Sequence, residues 1–309
     1  MERNQSLDLL KIILAIFIVG LHTAFLKDRS VLFSFIMGNG FFRIAVPIFL
    51  IISGYYFSKI NSLKNLYKWG KRIILLYATW MIIYSPFWYH GFQLLTFYNI
   101  LNGYFVLWYL PHTFLGGLML YALRKRSDKF LLIISFFIFL IGYIFQQVGN
   151  IHYFTGKLDA YLNYTPYHRN FLFVCFPFLA IGYVLKRNDN LIHSFKNNIV
   201  VLICIAVLLL EASFNYFLIN RNEPYDQLIS LFFVCPMIFL YAKNIEIKTN
   251  FKNLPLISSG IFLSHPLFYV LFKKELITMN TLFFIVVTIL SLITSMLLIK
   301  IKKKYDYIL

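Results

Sequence analysis

The stretch "LDLLKIILAIFIVGLHTAFL", Leu7 to Leu26, decides the fold class of this chain. Its residues are almost all apolar, and about twenty such residues form a helix that crosses the hydrocarbon core of a bilayer. Three ionisable side chains, Asp8, Lys11 and His22, interrupt the stretch. A charge at membrane depth costs upwards of about 2.5 kcal/mol, so such residues commonly face a protein interior or a wet cavity and mark function. We therefore predict a membrane helix with one functional face.

The rest of the chain repeats this apolar character. Hydrophobic residues make up 60% of the 309 residues and charged residues 13%, and the mean hydropathy is +0.72. An ordinary soluble domain is about 45–50% apolar and 25% charged. We predict an all-α integral membrane protein, one transmembrane domain over residues 1–309 without a soluble domain. Apolar runs of spanning length predict about ten helices, at 8–26, 41–58, 72–89, 106–123, 130–147, 171–186, 199–219, 227–242, 255–272 and 278–300. Residues 89–105 are predicted to be an interfacial or re-entrant piece.

The net charge of +17 is explained by topology. Alternate connections between the predicted spans, together with the two termini, carry twenty basic residues, and the other connections carry seven. Because Lys and Arg concentrate on the cytoplasmic side, both termini are predicted to be cytoplasmic, which requires an even number of spans. Nucleic-acid binding is not indicated, since no basic soluble module or recognition motif is visible.

The cysteines and the N-terminus suggest no further chemistry. Cys175, Cys204 and Cys235 lie in separate apolar runs, which fits neither a zinc site nor a disulfide framework. The histidines lack metal-ligand spacing on one helix, so no metal and no permanently bound cofactor are expected. The N-terminal run has no small-residue cleavage site, so we interpret it as the first span rather than as a signal peptide.

Lys11 and His22 lie on one face of the first helix. Eleven residues bring them within about 20° of each other around the helix, with a rise of about 16 Å between them. Asp8 is three residues before Lys11 and can pair with it. Three alternatives stay open: Lys11 can extend into the headgroups, Asp8 can be an ordinary helix N-terminal charge, and His22 can be a satisfied core histidine. As a functional residue, His22 would be a general base toward a hydroxyl.

The longest predicted outward loop, residues 147–170, is rich in polar and aromatic side chains. It is either a solvated connection or a surface for a sugar-like acceptor. The residues suited to the second role are Tyr153, Tyr161, Tyr164 and Tyr167 with Asp159, His168 and Arg169.

Four motifs resemble those of bacterial membrane-bound acyltransferase family three. The first motif is a basic residue and a His with ten residues between them, Lys11 and His22, preceded by the "RNQSLDLLK" pattern of Arg3 to Lys11. The other motifs are "FFRIAVPIFLIISGYYFS" (41–58), "LWYLPH" (107–112) and "GIFLSHPLF" (260–268). The resemblance covers the whole chain and includes the ten-span arrangement. It implies transfer of acyl groups from acyl-CoA to extracytoplasmic glycans. Some members carry a further soluble transferase domain, whereas this chain is expected to complete the transfer within the membrane.

The resemblance assigns the cations at the start of the third span to acyl-CoA. Here they are Lys68, Lys71 and Arg72. The family usually has two Arg separated by one residue, so this chain departs from the pattern. Arg72 is the preferred phosphate ligand because its planar guanidinium matches phosphate geometry. The cluster is explained equally well by the general excess of Lys and Arg in the cytoplasmic loops of membrane proteins.

Further residues are predicted on the acceptor side. Arg43 is either an interfacial anchor or a ligand for the acceptor or the oxyanion. Trp108 and Tyr109 are either interfacial aromatics or acceptor contacts, and His265, before Pro266, is either structural or part of the site.

Together these assignments predict an O-acetyltransferase of the bacterial inner membrane with multiple spans. Asp8 and Lys11 would form the donor side with Arg72, and His22 would be the base or a transient acetyl carrier. The expected partners are acetyl-CoA or another acyl-CoA, a cell-surface polysaccharide or its lipid-linked precursor, and the lipid bilayer. The alternative is a transporter or flippase without acyl-transfer chemistry, in which Lys11 and His22 line a substrate path.

Overall fold

The computed structural model describes residues 4–192, 195–247, 251, 253–272, 276–305 and 307–309. These residues form helices and connections and no strand. The α-helices in these ranges are α1 (Gln5–His22), α2 (Val31–Asn39), α3 (Ala45–Phe57), α4 (Leu63–Ile83), α5 (Ser85–Trp88), α6 (Leu94–Asn102), α7 (Tyr109–Leu123), α8 (Asp128–Asn150), α9 (Gly156–Leu162), α10 (Phe176–Arg187), α11 (Asp189–Ile192), α12 (Asn198–Phe214), α13 (Leu231–Asn244), α14 (Leu254–Leu271) and α15 (Asn280–Lys302).

Short 3₁₀ and π turns extend several of these helices. The 3₁₀ segments are Phe41–Ile44, Phe105–Trp108 and Thr165–Tyr167, and the π segments are Phe171–Cys175 and Asn215–Ile219. The segment Phe41–Ile44 joins α2 to α3, and Phe105–Trp108 precedes α7.

Seven helices in the described ranges are long and apolar enough to cross a membrane. They are Gln5–His22, Val31–Phe57, Phe105–Leu123, Asp128–Asn150, Asn198–Ile219, Leu254–Leu271 and Asn280–Lys302. The chain is therefore an all-helical protein with the features of a multi-pass membrane protein, as predicted.

The predicted number of about ten spans is not confirmed. Three predicted spans coincide with helices that do not meet the same criteria, for different reasons. The first half of α4 carries four cations, and the predicted span that ends at residue 89 is interrupted near Pro86. Helix α10 has 12 residues and the π segment before it has 5, and α13 has 14. At about 1.5 Å per residue, both stretches are shorter than a 30 Å hydrocarbon core.

The side of the membrane that each loop faces stays a prediction from charge. Five of the basic residues in that argument, Arg3, Lys248, Lys252, Lys273 and Lys274, lie outside the described residues. Residues 89–105 contain a connection and the short helix α6 with exposed apolar side chains, so this piece is not a complete span.

Close backbone contacts hold the centre of the bundle. Helix α1 packs against α3 and α14, and α3 packs against α10. A Cβ atom on Gly54 would lie 2.0 Å from the Leu179 carbonyl oxygen, and one on Gly182 would lie 2.0 Å from the Ile51 carbonyl oxygen. Only glycine permits this approach of α3 and α10, which is typical of small residues between membrane helices.

Local hydrogen bonds fix both ends of α1. The Asn4 side chain accepts a bond from the Leu7 backbone N–H at the start of the helix. At the other end the Thr23 hydroxyl donates to the Val19 carbonyl at 2.9 Å, and the Asn280 side-chain amide donates to the Thr23 carbonyl at 2.9 Å. These bonds hold His22, the last residue of α1, against the start of α15.

Candidate functional site

A cavity of about 60 Å³ lies between α1, α3, α7, α8, α10, α13 and α14. We call it the outer cavity, after the side of the membrane that the charge pattern predicts for it. Six of its lining residues carry charged or hydrogen-bonding side chains: His22, Arg43, Trp108, Tyr109, Arg169 and Asp226. The first four were predicted as site residues, and Arg169 was among the loop residues suited to a sugar-like acceptor.

His22 contributes a ring without hydrogen bonds. Neither ring nitrogen bonds to any part of the chain that the structure describes. The ring lies 4.7 Å from the Phe105 ring and stacks on the His265 ring at 5.6 Å, measured between centroids. An imidazole nitrogen in this setting is available to a substrate hydroxyl.

Phe105 has an unusual backbone conformation beside this imidazole. Its φ angle is +53°, in the left-handed region that bulky residues rarely adopt. Gly103, two residues earlier, has a φ of +88°. Strained residues of this kind cluster at functional sites, and this one places an aromatic wall against His22.

Asp226 is surrounded by three basic side chains. It forms ion pairs with Arg43, and with Arg169 at 3.3 Å between Oδ1 and Nη1. His168 Nε2 lies 3.7 Å from the second carboxylate oxygen. Burial by itself opposes ionisation of Asp226, but Arg169 and Arg43 hold its pKa well below the usual range. The carboxylate is therefore ionised at neutral pH.

The outer cavity contains more guanidinium groups than carboxylates. Arg43 also donates from Nη2 to the Asn39 side chain at 3.1 Å, but its buried Nε has no partner among the described residues. Arg169 lies over the Trp108 ring at 4.8 Å. The two arginines against one aspartate leave a net positive charge that suits a developing oxyanion.

Asp226 was not identified from the sequence. It lies in the connection between α12 and α13, where an acidic residue ordinarily suggests a solvated turn. Its position depends on Gln146 of α8, whose side-chain oxygen accepts from the backbone N–H groups of Asp226 at 2.7 Å and Gln227 at 2.9 Å. Gln146 is fully buried. No local sequence signal connects these distant residues.

A second, larger cavity of about 220 Å³ contains Lys11. We call it the inner cavity. The Lys11 ammonium lies 3.1 Å from the Asp8 carboxylate, and the side chains are 19% and 5% exposed. The hydroxyl groups of Ser53, Ser258 and Ser259 also line this cavity.

The two cavities adjoin. Four residues line both of them: Ile18, Val46, Tyr109 and Phe262. The rings of Tyr109 and Phe262 meet edge to face at 5.7 Å. Lys11 and His22 thus lie on either side of a thin wall of shared side chains.

The other predicted residues are divided between the site and the surface. His265 is fully buried; its Nδ1 lies 3.1 Å from the Ile261 carbonyl, and its ring stacks on His22 without lining either cavity. Lys68, Lys71 and Arg72 are exposed on α4 and line neither cavity. Lys71 borders a separate groove with Phe114, whereas Leu76, one turn after Arg72, lines the inner cavity.

The outer loop separates into two parts. His168 and Arg169 reach the Asp226 cluster. The rings of Tyr153, Tyr161, Tyr164 and Tyr167 are exposed, and Asp159 pairs with His152 at 2.9 Å. The tyrosines form an exposed aromatic surface, in which Tyr167 contacts Tyr161 and Tyr164 edge to face.

No group of three or more metal-ligating side chains lies in the part of the chain that the structure describes. Cys175, Cys204 and Cys235 are free thiols.

Comparison with known proteins identifies a family. The model of acyltransferase family 3, described as an acyltransferase domain, matches residues 4–300. An amino-acid racemase of Enterococcus faecalis is 25% identical over 333 aligned positions, which cover 98% of this chain and 47% of that protein. A serine/alanine racemase of Enterococcus gallinarum is 25% identical over 291 positions, covering 85% of this chain and 40% of that protein. The chain thus spans less than half the length of these relatives. No solved structure matches it.

Proposed function

The chain belongs to acyltransferase family 3, and from this premise we propose that it is an O-acetyltransferase of the bacterial inner membrane. It moves acetyl from cytoplasmic acetyl-CoA to a hydroxyl of a cell-surface polysaccharide or of its lipid-linked precursor. The observation that carries the proposal is the pair of adjoining cavities, one containing Lys11 and the other His22 and Arg43.

The inner cavity suits the donor. Its volume of about 220 Å³ and its serine hydroxyls suit a slender chain with amide groups, such as the arm of coenzyme A. The exposed cations Lys68, Lys71 and Arg72 on α4 would attract the phosphates of the same molecule, and Lys11 with Asp8 would line its path. The thioester then reaches the wall formed by Tyr109 and Phe262.

The outer cavity suits the reaction. His22 accepts the proton of the acceptor hydroxyl, whose oxygen attacks the thioester carbonyl. Arg43 and Arg169 stabilise the negative charge on the former carbonyl oxygen. When the C–S bond breaks, the thiolate of coenzyme A takes the proton from His22 and the C–O ester bond remains. A variant of the same scheme carries acetyl briefly on His22 before the hydroxyl attacks.

Aromatic side chains support the assignment of the acceptor to the outer cavity and the loop beside it. Trp108 lines the outer cavity beneath Arg169, and the exposed tyrosines of residues 153–167 provide flat faces of the kind on which sugar rings stack. His265 holds the His22 ring by stacking and acts as a positioning residue.

The test is transfer of label from radiolabelled acetyl-CoA to cell-envelope glycan by the purified protein in lipid discs. We expect ester-linked label with the wild type and a loss of at least 100-fold with His22→Ala at equal expression, the lower range for loss of a general base. His90→Ala, at an exposed His outside both cavities, is the matched control. Unchanged transfer by His22→Ala removes His22 from the mechanism.

A transporter without acyl-transfer chemistry is the second candidate. The observation in its favour is that the two cavities adjoin along α1 and share four lining residues. Its signature is movement of glycan or solute across vesicles in the absence of any acyl-CoA. Label transfer that needs His22, without such movement, excludes it.

A further inference from the structure

Part of the lining of the outer cavity is apolar and buried. It consists of four side chains: Phe139 of α8, Val174 of the π segment, Phe178 of α10 and Leu231 of α13. We call this part the apolar recess. It belongs to the same cavity as Arg43, Arg169 and Asp226, so a bound group meets both charge and hydrocarbon there.

Aromatic packing seals the recess. The rings of Phe139 and Phe178 meet edge to face at 5.3 Å, and both side chains are fully buried. Phe232 packs behind them, with its ring 5.8 Å from Phe139 and 6.4 Å from Phe178. Because protein interiors are close-packed, a group that extends beyond the recess has to displace these rings.

The volumes of the two cavities indicate what each can hold. The outer cavity has about 60 Å³ and the inner cavity about 220 Å³. The smaller cavity also has to admit the reacting carbonyl and the acceptor hydroxyl. The space that this leaves for an acyl chain is therefore small.

We propose that the apolar recess of Phe139, Val174, Phe178 and Leu231 receives the hydrocarbon part of the acyl group and restricts the donor to acetyl-CoA and propionyl-CoA. The inference rests on the proposed function and names its donor class. The recess contacts only the acyl carbons, while bond formation and proton transfer stay with His22 and the two arginines. Phe139 and Phe178 are specificity-determining residues.

The size of the effect follows from hydrophobic pockets in general. One methylene too many or too few changes kcat/KM by about 10-fold to 200-fold. We expect butyryl-CoA to be used at least 10-fold less well than acetyl-CoA by the wild type. Enlarging the recess is expected to reduce this ratio by at least 10-fold.

The experiment measures kcat/KM with acetyl-, propionyl-, butyryl- and hexanoyl-CoA at one glycan concentration. The variants are Phe139→Leu and Phe178→Leu, with Val174→Ala as a milder change if either phenylalanine variant fails to fold. Phe57→Leu is the control, because Phe57 is equally buried but packs on Trp69 and lines neither cavity. The expected result is a gain in butyryl transfer relative to acetyl in the recess variants alone.

Two results overturn the inference separately from the function. One is equal use of hexanoyl-CoA and acetyl-CoA by the wild type, and the other is an unchanged ratio of butyryl to acetyl transfer in folded recess variants. Either result is compatible with acyl transfer but shows that the recess does not select the acyl group. If the wild type transfers no acyl group from any donor, the proposed function fails and the recess proposal fails with it.

Discussion

Lys11 and His22 lie on one helix and line two adjoining cavities separated by Ile18, Val46, Tyr109 and Phe262. In the proposed transfer, the donor lies on the side of Lys11 and the acceptor on the side of His22.

Lys11→Gln is expected to reduce kcat/KM for acetyl-CoA by at least 10-fold, because a hydrogen bond from the charged Lys11 ammonium to the arm of the donor is worth about 1.5–3 kcal/mol. The measurement is label transfer over a range of acetyl-CoA concentrations. The double variant Asp8→Asn/Lys11→Gln removes the ion pair as a unit and is the control for a structural role. Recovery of activity in the double variant would show that Lys11 only neutralises Asp8.

The three exposed cations of α4 are expected to affect binding alone. Replacing Lys68, Lys71 and Arg72 together by Gln should raise KM for acetyl-CoA about 10-fold and leave kcat unchanged, since these residues lie outside both cavities. The effect should shrink at high salt because exposed charges are screened. The matched control is Lys125→Gln/Lys129→Gln, at an exposed cation between α7 and α8 and another in the first turn of α8. An equal rise of KM in the control would show that the α4 cations act only through the general surface charge of the protein.

Asp226→Asn should destabilise the protein by about 3–5 kcal/mol, because it leaves Arg43 and Arg169 without their buried counter-charge. The measurement is the midpoint of thermal unfolding, with Glu246→Gln, at an exposed acid, as control. The folded-state pKa of Asp226 is below its unfolded value, so its contribution is complete above about pH 3.9 and disappears only at lower pH. The difference between wild type and variant should therefore be constant from pH 5 to pH 8; a difference that shrinks across this range would contradict the assignment.

His152 is expected to make the outer loop sensitive to pH. Its Nδ1 bonds to Asp159 at 2.9 Å, and its Nε2 lies 3.4 Å from Glu223. The hydrogen bond that the imidazole donates to Asp159 raises the pKa of His152 above the ordinary value. A raised pKa means that the stabilisation is complete below about pH 6.5 and is lost as the pH rises through the folded-state pKa.

The check for His152 is an NMR titration of the labelled imidazole in the wild type and in Asp159→Asn. The wild type should titrate above 6.5, and the variant at lower pH because it lacks the main cause of the shift. Identical titration curves would show that Asp159 does not control His152.

The fold and part of the site could be predicted because their signals are local. Hydropathy over a window of one helix identified the membrane class and the positions of the helices, although not which of them are long enough to span. Helical periodicity placed Lys11 and His22 on one face from their spacing alone. Hydropathy misjudged the extent of α4, because the first half of this helix is cationic and only the second half is apolar.

The sequence by itself determined that the first apolar helix carries its ionisable side chains on one face. Helix geometry and the cost of desolvating a charge depend on residues that are close together in the chain, so both can be evaluated from the sequence. Only the tertiary structure decided which distant groups meet that face. Arg43 and Asp226 are 183 residues apart, and Gln146 of a third helix holds the segment that brings them together. Such contacts depend on how separate helices pack, and packing is determined by the shapes of all of their faces at once.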